Sequence, residues 1–273
     1  MGSALEQVKS WPATGATAGV VVRGDVRAMT GPTDRSFPWA SVTKLLTSLA
    51  VLVAIEEGTL ALDEPAGPPG STVRHLLAHA SGLPMDGTGP LARPGTRRIY
   101  SNTGFEVLTA TLARRAGMTF AEYLSAGVLE PLGLEETVLT GSPASGASGP
   151  LTDLLALGQE LLVPTLVSPE MLAQATSVAF PHLSGILPGF GRQDPNDWGL
   201  GFELRDGKSP HWTGARNSSR TFGHFGQSGS FLWVDPEAGL ACGALADREF
   251  GPWAAEAWPR LADAVLDDYT GDP

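Results

Sequence analysis

The run from Leu45 to Ile55 is apolar apart from Thr47 and Ser48 and is closed by Glu56-Glu57-Gly58. A helix that is apolar on every side has no solvent face and must be a core element. Glycine at position 58 suits the left-handed conformation that ends helices. The segment approaches the length of a membrane span. Lys44 at one end, Glu56-Glu57 at the other and the hydroxyls between them point instead to burial in protein.

At the mouth of this helix stands Ser41-Val42-Thr43-Lys44. A serine hydroxyl must lose its proton as it attacks, so it needs a base within hydrogen-bond reach. Residues three apart share a helix face, which brings the Lys44 amine beside Ser41. Lysine accepts a proton only when neutral, a state that desolvation favours, and the apolar run supplies the dry setting. By itself S-x-x-K also fits a surface serine beside a solvated lysine.

A chain of 273 residues, 42% hydrophobic and 17% charged, buries a substantial core as one large domain or two closely packed regions. The net charge of -11, with no basic run, argues against a nucleic-acid partner. The single cysteine, Cys242, excludes an internal disulfide, and its neighbours Leu240, Ala241, Gly243 and Ala244 place it in a buried strand. Met1 to Lys9 shows no basic segment followed by an apolar one, so a cytoplasmic location is expected unless a leader was trimmed ahead of Met1-Gly2-Ser3.

Ser3 is a candidate cap for a short helix reaching Trp11, where Pro12 stops it. Ala18 to Val22 and Val26 to Thr30 read as strands about the turn Arg23-Gly24-Asp25, a hairpin rather than an adhesion motif. Ser71 or Thr72 starts a helix through His79. His75 and His79 then have the spacing of helical zinc ligands, but Leu76 stands where H-E-x-x-H has glutamate and no third ligand is evident. Packed histidines are the better reading.

A helix follows Tyr100-Ser101-Asn102 to Arg115, closed by Gly117, and Thr119 caps another through Ser125. Gly141 to Pro150 reads as a mobile loop, and helices are expected at Thr152 to Leu162 and Ser168 to Thr176. Pro181 to Arg220 is rich in Gly, Pro and Arg, with a strand at Leu200 to Leu204. A hairpin at Phe231 to Val234 and Leu240 to Leu245 precedes an amphipathic helix, Trp253 to Tyr269. Strands at both ends and helices in the middle predict an α+β fold: one antiparallel sheet flanked by terminal helices, with a large helical insertion. On that reading 1–40 and 198–273 form the sheet region and 41–197 the mainly helical one, with the site between the two lobes.

Ser41-Val42-Thr43-Lys44, Tyr100-Ser101-Asn102 and His224-Phe225-Gly226, in that order, together with His75 to Leu83, resemble the serine beta-lactamase and penicillin-binding-protein superfamily. The branch concerned holds class C beta-lactamases, D-alanyl-D-alanine carboxypeptidases and many esterases. The resemblance implies a beta-lactamase-like fold and an acyl-enzyme on Ser41. Lys44 and Tyr100 would share the proton work, the phenol's charge being favoured by the ammonium. Asn102 would fix Lys44 and bind substrate, His224 would polarise Tyr100, and Gly226 would admit substrate to the strand edge. The backbone N–H groups of Ser41 and Gln227 would form the oxyanion hole. No metal or organic cofactor is implied.

Relatives usually carry a hydroxyl residue where this chain has Phe225, and that hydroxyl helps hold a substrate carboxylate. Arg192, Arg216, Arg220 and Ser228 are the candidates to replace it. The expectation is therefore a carboxylesterase acting on small acyl esters, with a carboxypeptidase, D-amino peptidase or beta-lactamase as the alternative and a non-catalytic acyl-binding or sensing module as the third reading. Gly226-Gln227-Ser228-Gly229 begins like a G-x-S-x-G nucleophile elbow, but Ser230 breaks the pattern.

Overall fold

The computed structural model describes residues 4–270. A 3-10 helix, Ala4–Ser10, opens the described chain, and the cap expected at Ser3 lies outside the described residues. Strands β1 (Ala16–Val22) and β2 (Asp25–Thr30) form the expected hairpin. Arg23 and Gly24 both have positive φ, 52° and 92°, the twist that tight hairpins favour. After β3 (Phe37–Pro38), one 3-10 turn at Ala40–Val42 leads into α1 (Thr43–Glu56), buried from Thr43 to Ala54.

The helical middle follows with α2 (Val73–Leu77), α3 (Asn102–Ala116), α4 (Phe120–Leu124) and, after a π turn, α5 (Glu130–Leu132). Thr119 and Glu122 close α4 with a reciprocal capping box. Short strands β4 (Val138–Leu139) and β5 (Ala147–Gly149) precede α6 (Leu151–Leu162) and α7 (Pro169–Ala175). A small hairpin, β6 (Gly185–Leu187) and β7 (Gly191–Gln193), leads to β8 (Glu203–Leu204). The chain closes with β9 (Phe222–Gly226), β10 (Ser230–Asp235), β11 (Leu240–Ala246) and α8 (Pro252–Tyr269).

The main sheet runs β2-β1-β11-β10-β9-β8, every neighbouring pair antiparallel, so both chain ends meet where β1 pairs β11. The expected α+β arrangement is what the chain adopts. Strand alternation splits the core in two. Val20, Trp233 and Cys242 face α8 and the N-terminal helix, whereas Val21, Leu232 and Val234 face α1 and α6. Burial pushes the Cys242 thiol up, as befits a core side chain. Gly19 and Gly243 pair across β1 and β11, and a Cβ on either would press into Leu155 or Leu154 at 2.5 and 3.0 Å. Those glycines let α6 lie directly on the sheet.

The stretch expected to be mobile, 141–150, is instead pinned. Ser142 to Gly146 forms a tight turn running into β5, and Thr47 donates to the Pro143 carbonyl at 2.6 Å. Polar side chains of a helix buried all round need acceptors from outside it, and this turn provides them. The helix expected through His79 stops at Leu77, and His79 has φ 52°, so the two histidines share no helix face. Among the described residues no cluster of potential metal ligands exists. His224-Phe225-Gly226 ends β9, directly ahead of the strand expected at Phe231 to Val234, which is β10.

Arg98 ties the segments around the cleft. Its guanidinium is buried and donates to the carbonyls of Ala78, Ala179, Phe180 and Asn196. Phe180 has φ 54° there, a strained conformation that these bonds help to hold. Replacing Arg98 by Met strands several buried acceptors, each worth about 1–3 kcal/mol. Calorimetry should show a loss of about 3 kcal/mol or more, or about 6–12 °C in Tm for a chain of this size. Arg98→Lys should recover little of it, because an ammonium cannot span four acceptors. A loss under about 1 kcal/mol in Arg98→Met would refute this role.

Candidate active site

Ser41 sits in the 3-10 turn ahead of α1, directly after Ala40 at φ 44°. A non-glycine residue held there costs about 1–3 kcal/mol and persists only where its surroundings fix it. They do so from both sides. Trp39 donates its indole N–H to Gly149 and its backbone N–H to Ala147, while Ser228 and Ser230 donate to the carbonyls of Pro38 and Trp39 at 2.7 Å. The end of β9 closes against this turn at Gly226, where a Cβ would lie 2.4 Å from the Trp39 oxygen. Only glycine permits that approach.

Lys44 is completely buried. Its ammonium nitrogen donates to Asn102 Oδ1 at 2.7 Å and the Ala144 carbonyl at 2.9 Å, and lies 3.4 Å from Ser41 Oγ. Desolvation lowers its pKa from 10.5 to about 7, against the upward pull of Asp86 and Glu106. Asn102 donates in turn from Nδ2 to Asp86 Oδ1 at 3.1 Å, which fixes which end of its amide meets Lys44. Ser101 caps α3: its hydroxyl accepts from the Gly104 N–H.

The Tyr100 hydroxyl donates to Ser41 Oγ at 2.8 Å and lies 3.5 Å from His224 Nε2. Nδ1 of His224 meets the Phe225 carbonyl at 2.7 Å, so that nitrogen carries the proton and Nε2 presents its lone pair to Tyr100. Burial, reinforced by Lys44, pushes the His224 pKa down to about 3. Burial also raises the Tyr100 pKa, beyond what its bond to Ser41 recovers. Desolvation, to which the Asp86 charge adds, outweighs that bond, and Tyr100 rests as a phenol.

His79 supports this group from beneath. Its Nδ1 accepts the Ser101 N–H at 3.1 Å, and its ring packs 4.7 Å from Tyr100 and 4.6 Å from Trp198. Burial holds its pKa well below the usual value. The only sequence signal for that role was its place between His75 and Leu83.

Ser41 opens onto a pocket of about 70 Å³. Its walls include Tyr100, Leu187, Trp198, His224, Phe225 and Gln227, and Glu203 also reaches it. Glu203 escaped the sequence reading. Its buried carboxylate accepts from Lys208, His211 and the Trp212 indole. Burial alone would raise its pKa, but Lys208 and then His211 hold it at about 2. None of the candidates to replace the missing hydroxyl lines the pocket. Arg192 pairs with Asp194, Arg216 with Asp267, Ser228 bonds the Pro38 carbonyl, and Arg220 is exposed elsewhere. Gly226 to Gly229 is the hairpin turn between β9 and β10, not a strand-to-helix elbow.

A family model described as beta-lactamase matches residues 7–266. The crystal structure of a beta-lactamase from Mycobacterium bovis is 55% identical, with TM-score 0.97 over 98% of this chain and 100% of that one. The D-alanyl-D-alanine-carboxypeptidase/endopeptidase AmpH of Escherichia coli K12 is 28% identical over an alignment 141 residues long, with 38% of this chain and 37% of AmpH covered. Esterase EstB of Burkholderia gladioli is 30% identical over an alignment 150 residues long, with 38% of this chain and 38% of EstB covered. This chain therefore spans under two fifths of the length of those two relatives.

Carbon-detected NMR of labelled lysine should find one side chain titrating near pH 7, absent in Lys44→Met. Asp86→Asn removes an anion that favours the ammonium, so that midpoint should move down. A Lys44 midpoint above about 9 would contradict the dry setting described here.

Proposed function

This chain belongs to the beta-lactamase family, and on that premise we propose that it is a serine hydrolase that cleaves esters of short acids through an acyl-enzyme on Ser41. The observation that carries the reading is the pairing of Ser41 with a lysine whose pKa is about 7. At neutral pH about half of such amines are unprotonated, against about one in three thousand at the ordinary pKa.

Ser41 Oγ attacks the ester carbonyl carbon and its proton passes to Lys44 Nζ. The N–H groups of Ser41 and Gln227 receive the oxyanion, each donor worth about a hundred- to a thousandfold in rate. As the carbonyl–oxygen bond breaks, the departing alkoxide takes the Tyr100 hydroxyl proton. The Lys44 ammonium, 4.6 Å from the Tyr100 ring centre, favours the brief phenolate. Water then gives a proton to that phenolate and its oxygen to the acyl carbon. Ser41 leaves as alkoxide and recovers its proton from Lys44, so ester and water become acid and alcohol. Asn102 keeps Lys44 in place, and His224 Nε2, 3.5 Å from the Tyr100 oxygen, is the acceptor to which the single phenol proton turns while Ser41 is acylated.

Pocket chemistry favours esters of short neutral acids. Its volume is about half that of the roughly 150 Å³ cavity that admits benzene. Phe225 contributes an apolar wall where a hydroxyl would help hold a carboxylate. A second reading, hydrolysis of amides or lactams, is favoured by the likeness to a beta-lactamase and to AmpH.

Intact mass after exposure to a fluorophosphonate and, separately, to penicillin distinguishes the two. The expected result is a fluorophosphonate adduct, absent in Ser41→Ala, and no lasting penicilloyl adduct or penicillin turnover. Labelling should speed up with pH through about 7 and then level off, because Lys44 must be neutral to accept the proton. Tyr100→Phe should lower ester turnover by about 10²–10⁴. Penicillin hydrolysis faster than that of p-nitrophenyl acetate would sink the ester reading in favour of the second.

A further inference from the structure

The cleft continues past Tyr100. A second hollow of about 340 Å³ shares Met85, Tyr100 and Pro188 with the pocket at Ser41 and extends between Leu91, Arg97 and Ile186. Its size falls in the range of about 300–1,000 Å³ that small-molecule sites occupy. Its two sides are held together: the Arg98 N–H donates to the Ser184 carbonyl, and a Cβ on Gly185 would lie 2.2 Å from the Arg98 oxygen.

Three large apolar side chains stand out to solvent here, Met85 at 51%, Leu91 at 67% and Ile186 at 64% exposure. Grouped exposed apolar side chains mark binding surfaces. Arg97 is exposed beside them and enters no ion pair among the described residues, while the neighbouring Arg98 spends its guanidinium on backbone carbonyls. The hollow thus offers an apolar trough with one uncommitted cation.

We propose that this hollow is the leaving-group site of Ser41, and that it takes an extended apolar alcohol portion ending in an anion that meets Arg97. The inference rests on the hydrolase reading for its direction. The departing oxygen must collect its proton from Tyr100, so the group attached to it lies on the Tyr100 side, where the hollow begins. The pocket at Ser41 then holds the short acyl group. The substrate class is the short-acid ester of a medium-chain alcohol bearing a terminal carboxylate, sulfate or phosphate.

The test uses acetate esters of straight-chain alcohols from ethyl to octyl, followed by pH-stat, and acetoxyoctanoate with its carboxylate at the far end. Rates are referred to the Ser41 titrated by fluorophosphonate. In the wild type kcat/KM should rise about two- to fourfold per methylene, and acetoxyoctanoate should exceed octyl acetate about two- to fivefold, the scale of an exposed ion pair. Ile186→Ser and Leu91→Ser, both at exposed positions that do not threaten folding, should cut the octyl-over-ethyl preference about tenfold. Arg97→Ala should abolish the preference for the carboxylate. A chain-length dependence that is absent, or equal in wild type and variants, overturns the proposal.

Calorimetric binding of hydroxyoctanoate to Ser41→Ala needs no turnover. Saturable binding, weakened by adding Ile186→Ser or Arg97→Ala, supports the hollow, and no binding overturns it. If no ester is cleaved yet this binding is seen, the hydrolase reading falls and the hollow stands as an anion-tipped alkyl site.

Discussion

The removal of the Lys44 amine from water is the constraint on which the rest of the site depends. Burying an ammonium is costly unless its donors are met, and here they are met by Asn102 Oδ1 and the Ala144 carbonyl. That requirement joins three separate parts of the chain: α1, the start of α3 and the turn at 142–146. Each is fixed by its own local logic. Ser101 caps α3, Thr47 ties the turn through the Pro143 carbonyl, and the Thr43 hydroxyl accepts the Ala147 N–H. The same burial that costs stability brings the amine to a pKa near 7.

Function and support alternate along the chain around the cleft. Tyr100 reaches Ser41, while Arg98, two residues earlier, anchors four carbonyls. Gly226 allows the end of β9 to touch the strained turn before Ser41, and Ser228 and Ser230 fasten it there. Strain at Ala40 and Phe180 is tolerated because hydrogen bonds from several elements surround it.

Much of this was legible in the chain itself. The core helix, the Arg23-Gly24 hairpin, the Thr119 cap and the closing helix follow from periodicity and turn chemistry, which act over a few residues. Ser41 and Lys44 were legible for the same reason, being three residues apart. Tyr100, Asn102 and His224 came from family resemblance, since nothing local distinguishes them from a loop tyrosine, a cap and a strand histidine. The pinned turn at 142–146 was missed because its service is rendered by the Ala144 and Pro143 carbonyls, and a carbonyl has no sequence signature. His79 was misplaced on a helix, because its positive φ is imposed by contacts with Ser101, Tyr100 and Trp198 rather than by its neighbours in sequence.

The sequence by itself determined that the helix after Lys44 is buried, that strands from both chain ends flank a helical middle, and that a serine has a lysine within one turn. Tertiary structure alone decided the protonation states. Lys44 is easily deprotonated, Tyr100 rests as a phenol and His224 is neutral because of how completely each is dried and which charges share its cavity. It also decided that Glu203, remote in sequence from every motif, reaches the pocket with Lys208 and His211 bound to it. Local pattern is set by interactions across a few bonds, whereas desolvation and long-range contact exist only once distant segments have been packed together.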